Sequence, residues 1–222
     1  MKLARRDVIA AVAALAVAIV CVRLGVWQLD RLGQRRARNA VLAARLSLPP
    51  LVVGRATSPD SARQRRLIAR GVYDFSRERV WRGRSFDGTP GVALVTPLRL
   101  VDGSAVLVDR GWVPSPDAYH VDQALYREPD AITVEGLGFI AARGRGDVDP
   151  TALRDSAPYA LLPLVLQQTG TAAGRGLPRR WPAPRLDNGP HLSYAIQWFS
   201  FALIIVLGMG ALLRKTTILG RS

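Results

Sequence analysis

Two apolar runs, one near each end, constrain this chain more than any motif in it. The first covers residues 8–22 and continues past Arg23 to Leu29, and the second covers 196–213. Each is about 20 residues long, enough for a helix to cross roughly 30 Å of hydrocarbon. The expected organisation is a tail at 1–7, a transmembrane helix at 8–29, a domain of soluble composition at 30–193, a second transmembrane helix at 194–213 and a tail at 214–222.

Orientation follows from the flanks. Lys2, Arg5 and Arg6 precede the first run, and Arg214, Lys215 and Arg221 follow the second. Short basic tails stay in the cytoplasm, whereas a long loop crosses largely regardless of its charge. The expectation is a multi-pass protein of a bacterial inner membrane with both termini cytoplasmic and the middle domain outside. A cleaved leader fits less well. Ala16-Val17-Ala18 has the small-x-small form, but residues 19–22 are still deep in the apolar run, and Cys21 lacks the small residue before it that a lipoprotein box needs. The first run reads as an anchor.

The formal net charge of +14 suggests nucleic acid at first sight. However, 29 of the 31 basic residues are arginine and they are scattered through the extracytoplasmic loop. Such a surface suits anionic lipid headgroups and needs no specific site, so the expected partner is the bilayer and not nucleic acid. Cys21 is the only cysteine, which excludes an internal disulfide and Cys-x-x-Cys chemistry. The two histidines, His120 and His191, cannot build a multi-histidine metal centre within one chain. The serines at 61, 85, 104 and 115 lack a Gly-x-Ser-x-Gly context, and Asp147 and Asp149 sit in a Gly-rich stretch. No Gly-x-Gly-x-x-Gly or phosphate loop is present. The chain offers no catalytic constellation and is not expected to be an enzyme.

The middle domain reads as β-rich. Strands are expected at 66–75, 79–85, 92–101, 104–113 and 132–140, with a weaker one at 161–168, where Pro163 interrupts. Asp102-Gly103 between two of them is a strong hairpin signal. Residues 117–126 are expected as one short helix, and 32–46 as an outward continuation of the first membrane helix, stopped by Pro49-Pro50. Residues 54–64, 143–150 and 170–190 should be loops. The predicted fold class is an α+β membrane protein, with N- and C-terminal transmembrane helices flanking an antiparallel β-rich domain that forms a small sheet or a partly closed barrel.

His191 opens the second run. In a helix starting there, positions 191, 194, 195 and 198 share a face by their spacing. The face carries imidazole, phenol, methyl and indole, a metal ligand with two aromatics to flank a flat ring. The alternative is an interfacial belt of Tyr194 and Trp198, with His191 as a helix cap or headgroup contact. Arg23, a charge inside an apolar run, is either functional or snorkels to a nearby interface. Tyr73 and the Asp109-Arg110-Gly111-Trp112 segment offer a docking surface with Trp112 as anchor and Arg110 at its rim. Their alternative is a core tryptophan beside a structural Asp–Arg pair.

These residues occur in blocks. Gly25-Val26-Trp27-Gln28-Leu29-Asp30-Arg31, Gly71-Val72-Tyr73-Asp74, Gly91 with Thr96-Pro97-Leu98, Val108-Asp109-Arg110-Gly111-Trp112-Val113-Pro114 and His191-Leu192-Ser193-Tyr194-Ala195-Ile196-Gln197-Trp198-Phe199 run in that order. Together they resemble the surfeit-locus-one family over nearly the whole chain. The resemblance implies an assembly factor for haem–copper cytochrome c oxidase that binds haem A and aids its insertion into the catalytic subunit, alongside other assembly factors. It makes His191 the candidate iron ligand and Tyr194 and Trp198 its flanks. Arg23 and Arg31 become candidate propionate partners. Trp27, Gln28, Tyr73, Arg110, Gly111 and Trp112 become candidate partner contacts. Two other classes stay open: a cofactor-free scaffold of an oxidase intermediate, and a membrane-anchored enzyme whose site is not evident.

Overall fold

The computed structural model describes residues 5–140, 148–170 and 176–219, with side chains as far as Arg214. Lys2, Arg221, Asp147, the Lys215 side chain, and the stretches 141–147 and 171–175 of two expected loops lie outside the described residues. The chain divides into two compact units, Met1–Leu42 with Leu186–Ser222, and Ala43–Arg185.

The first unit is a helix pair. Helix α1, Arg5–Ser47, runs unbroken through the first apolar run and its outward continuation. It ends just before Pro49-Pro50, whose rings can neither donate to the helix nor fit its next turn. Helix α4, His191–Leu219, begins directly after Pro190, three residues ahead of the expected start at 194. Both helices are long and apolar enough to cross a membrane.

The second unit is a seven-stranded sheet: β1 (Leu51–Val52), β2 (Arg66–Tyr73), β3 (Arg79–Phe86), β4 (Thr89–Leu100), β5 (Ser104–Pro114), β6 (Ala131–Phe139) and β7 (Ala160–Gln168), in the spatial order β1-β2-β6-β7-β5-β4-β3. Short helices α2 (Pro59–Ala62) and α3 (Pro150–Leu153) lie in the connections. A further pairing of β2 with β4, Gly71–Tyr73 against Leu98–Leu100, closes five strands into a ring and leaves β1 and β3 outside it. At the closure the strands approach so closely that a Cβ on Gly71 would stand 2.0 Å from the Arg99 carbonyl oxygen, so only glycine fits.

The barrel expectation is therefore met, but an all-antiparallel sheet is not. Five of the seven pairings among the described residues are antiparallel, whereas β1–β2 and β5–β7 are parallel. Alternation of side chains has the same period in either direction, so it carries no information about strand polarity. Strand β7 forms despite Pro163 because its register against β5 shifts between the Leu161 and Val165 pairings, and the proline falls in that irregularity.

Strands β4 and β5 are buried on both faces from Gly91 to Leu98 and from Ser104 to Val113. Val106 and Val108 enter the ring's interior with Leu67, Leu98, Val134 and Leu164. Ala105 and Leu107 pack on the outer face with Val95, Val148 and Val165.

The helix expected over 117–126 is a correction. Only Gln123–Tyr126 is helical, as one 3-10 turn. Asp117 Oδ1 accepts the amides of Tyr119 and His120 at 2.9 Å each, so its side chain takes donors that a helix would use elsewhere. Residues 54–64 are likewise not all loop. Ser58 caps α2 by accepting from the Ser61 amide, with Pro59 at the first helical position.

Candidate functional site

Within the helix pair the buried positions of α1 are Ala18, Cys21, Gly25, Gln28 and Leu32. They recur every three and four residues, the spacing of a two-helix seam. On α4 the matching positions are His191, Ala195, Trp198, Ala202 and Ile205, of which Ala195 is 1% exposed. Ala18, Cys21 and Ala202 make one contact cluster with Trp198 and Ile205 packed against it. Gly25 lies directly under Phe199, whose ring would stand 2.7 Å from a Cβ placed there. The two helices are antiparallel. The loop before α4 is clasped to α1 by Asn39, whose amide donates to the Asp187 carbonyl at 2.7 Å, and by Arg35 Nε, which donates to the same carbonyl at 3.1 Å.

His191 belongs to this seam. Its Nδ1 stands 2.9 Å from Oε1 of Gln28, the buried glutamine of α1. The ring reaches across to a residue that sequence reasoning assigned to partner docking. Gly189, at φ +65°, sits beside the ring's Nε2, where a Cβ would be 3.5 Å away.

The four-residue face divides. His191, Ala195 and Trp198 are in the seam, and Tyr194 is outside it at 46% exposure. Trp27, at 48% exposure, also faces outward and carries Arg31 over its ring at 5.5 Å, while Arg31 Nη1 donates to Gln34 Oε1 at 3.2 Å. Arg23 stands at the end of an apolar groove of about 480 Å³ formed by α1 and α4.

The docking surface expected from Tyr73, Arg110, Gly111 and Trp112 is a correction, because all four are buried. Arg110 is 0% exposed. Its Nη2 donates to Glu78 at 2.8 Å and its Nη1 to Glu128 at 3.1 Å and to the Tyr126 carbonyl at 2.7 Å. The guanidinium also lies over the rings of Phe75 and Tyr73, at 5.0 and 5.7 Å. Arg180 binds Glu128 and the Arg110 carbonyl, and Thr96 donates to Glu78. Burial pushes the Glu78 carboxyl up, opposed by Arg110 and Thr96. Burial and the charge of Glu128 push the Tyr73 hydroxyl up.

The alternative of an Asp109–Arg110 pair also fails, because the two side chains have different partners on either side of a bulge at Arg110. Asp109 Oδ1 accepts from Trp181 Nε1 at 2.9 Å and from the Gly111 amide at 3.1 Å, and Oδ2 accepts from Gln167 at 3.2 Å. Burial drives its carboxyl up against these donors. Trp112 packs in a cluster with Ala93 and Trp181, with Phe86 tilted against both tryptophans. Glu78, Glu128, Arg180 and Trp181 were missed in the sequence. They lie on three separated segments, and a stretch rich in Gly, Pro and Arg hides Trp181.

The SURF1 family profile matches residues 15–203, from within α1 to within α4. A SURF1-like protein of Monosiga brevicollis is 28% identical over 235 residues, covering 91% of this chain and 87% of its own. An uncharacterized SURF1-like protein of Mycobacterium tuberculosis is 26% identical over 212 residues, covering 84% of this chain and 75% of its own. The cytochrome oxidase assembly protein SHY1 of Saccharomyces cerevisiae is 29% identical over 102 residues, 44% of this chain and 26% of its own. With every described strand and parts of both long helices inside the matched span, the chain belongs to the SURF1 family.

Proposed function

We propose that this protein is a membrane-held assembly factor for cytochrome c oxidase, which carries haem A on His191 and releases it to the catalytic subunit. Assembly of the oxidase is the role named for the yeast relative. The reading of haem rests on one observation, the 2.9 Å contact between His191 Nδ1 and Gln28 Oε1. A histidine ligand generally gives its second nitrogen's proton to an oxygen acceptor, which fixes the ring and raises the basicity of the free nitrogen. Gln28 is placed to do this from the opposite helix, which would leave Nε2 to hold haem iron.

When bound, haem A supplies an iron that accepts the imidazole and a broad apolar ring that prefers the membrane boundary. The chain's own residues orient and hold. Trp198 and Ala195 brace His191 by locking α4 to α1, and Tyr194 is exposed one turn away to flank a ring. Arg31, held over Trp27 three residues from Gln28, is the first choice to neutralise a propionate, ahead of Arg23 in its groove. If this chain gives the iron only His191, the site would suit handover, because weak ligation speeds release. In this reading both termini are cytoplasmic, the β unit lies outside the cell membrane, and the partners are the oxidase catalytic subunit and other assembly factors.

The test is the optical spectrum of the purified full chain in detergent, co-expressed with haem A synthesis, beside His191→Ala and Gln28→Leu. A haem A spectrum should vanish in His191→Ala at equal protein yield. Gln28→Leu should retain the signal with affinity lowered about 10- to 100-fold, the usual cost of losing a ligand's orienting partner. Equal haem in wild type and His191→Ala would move the ligand elsewhere. No haem in any of them would favour a cofactor-free scaffold.

A further inference from the structure

We infer that the groove on the helix pair is a binding site for one anionic phospholipid of the outer leaflet, with Arg23 holding its phosphate and the groove holding an acyl chain. The groove is walled by Leu15, Ile19 and Val22 of α1 and by Phe199, Leu203 and Val206 of α4, over the small floor residues Ala18 and Ala202. Its only charged lining residue is Arg23. Leu15 and Arg23 are eight positions apart on α1, about 12 Å along the axis. That is most of one leaflet's share of roughly 30 Å of hydrocarbon.

Position gives the groove a direction. In the first apolar run, 8–29, Leu15 is seven positions from the inner end and Arg23 six from the outer end, about 9 Å of helix below it. From there the arginine stem carries the guanidinium outward to the lipid phosphates by snorkelling, and the apolar trough descends from it toward the midplane. Charge at the mouth and aliphatic walls below match the two halves of a phospholipid. The two alanines make the trough, since larger side chains at the seam's edge would fill it. Nearby Trp27, exposed one turn outward from Arg23, belongs to the same boundary layer. The inference rests on the membrane-spanning reading of α1 and α4 and is independent of haem.

The experiment is native mass spectrometry of the full chain, without haem, released from nanodiscs of palmitoyl-oleoyl phosphatidylglycerol and phosphatidylethanolamine in equal amounts. Wild type and Arg23→Lys should each retain one lipid with phosphatidylglycerol preferred. Arg23→Gln should lose that preference by about fivefold, the factor for one basic residue near an anionic surface. Leu203→Trp, at an exposed groove wall outside the seam, should lose the retained lipid while keeping the unfolding temperature of wild type. Equal retention of both lipids by wild type would overturn the assignment. So would an unchanged preference in Arg23→Gln, or a lipid-free dimer, which would place a second copy of the chain in the groove. The haem spectrum is not read in any arm, so this result and that of the His191 test fail separately.

Discussion

Arg110 is a charge with no route to water, and its two terminal nitrogens find the partners that water would have supplied, while Nε is left without one. Two carboxylates, a carbonyl and two aromatic faces surround the guanidinium. Removing one member of such a buried pair leaves the other uncompensated, so Arg110→Met should destabilise the fold by about 3–5 kcal/mol. Unfolding of the full chain in detergent, followed by near-ultraviolet circular dichroism, would check this; a loss under about 1 kcal/mol would mean that Glu78 finds another partner. Asp117 tests electrostatics at the surface. The His120 ring, the His120 and Tyr119 amides and Ser115 hold its carboxyl well below the usual range. Its folded pKa is below the unfolded value of about 4, so its contribution is present above that pH and is lost on acidification. Asp117→Asn should therefore lower the unfolding temperature at pH 7, and the gap should close as the pH falls below about 4. A gap independent of pH would contradict the assignment. At this scale the sequence was legible in part: His191 and Arg110 stood out by type and setting. Their partners did not, because Gln28 lies 163 positions from His191 and Glu78 lies 32 from Arg110.

Among the elements, the two long helices and the β4–β5 hairpin were readable from local pattern. Fifteen apolar residues in a row mark the first helix and the largely apolar run 196–213 the other, while a turn of Asp102-Gly103, with Gly103 at φ +78°, marks the hairpin. What escaped was pairing. The parallel contact of β5 with β7 joins strands separated by β6, and nothing in either strand states its neighbour's direction. The short strand β1 and the bridges that tie Arg179 to Trp112 and Trp181 to Thr169 have too few residues for any period. Gly111 is the hinge between strand and bridge. It has φ +124°, and a Cβ there would stand 2.3 Å from the Arg179 carbonyl oxygen. Gly111→Ala should cost more than about 2 kcal/mol, from backbone strain and the lost bridge together. An unfolding temperature within a degree of wild type would show that the segment at 179–181 is free to move away.

For the whole molecule, the β unit is an insertion in a helical hairpin. The topology proposed for it is open to a direct check, because Cys21 can be replaced to leave a chain with no thiol. In a Cys21→Ala background, Val101→Cys, at a turn where valine is 94% exposed, should react with a membrane-impermeant maleimide in intact spheroplasts. Labelling only after lysis would reverse the orientation. The hairpin also has a mechanical consequence. Asn39 and Arg35 grip Asp187 close to where the chain leaves and rejoins the helix pair, so the seam bypasses the β unit. Tension on the two termini would peel the seam like a zip, from Ala18 and Ala202 toward Gln28 and His191. The β unit would bear no load until that clasp had parted, and the contact that orients His191 would break before any strand did.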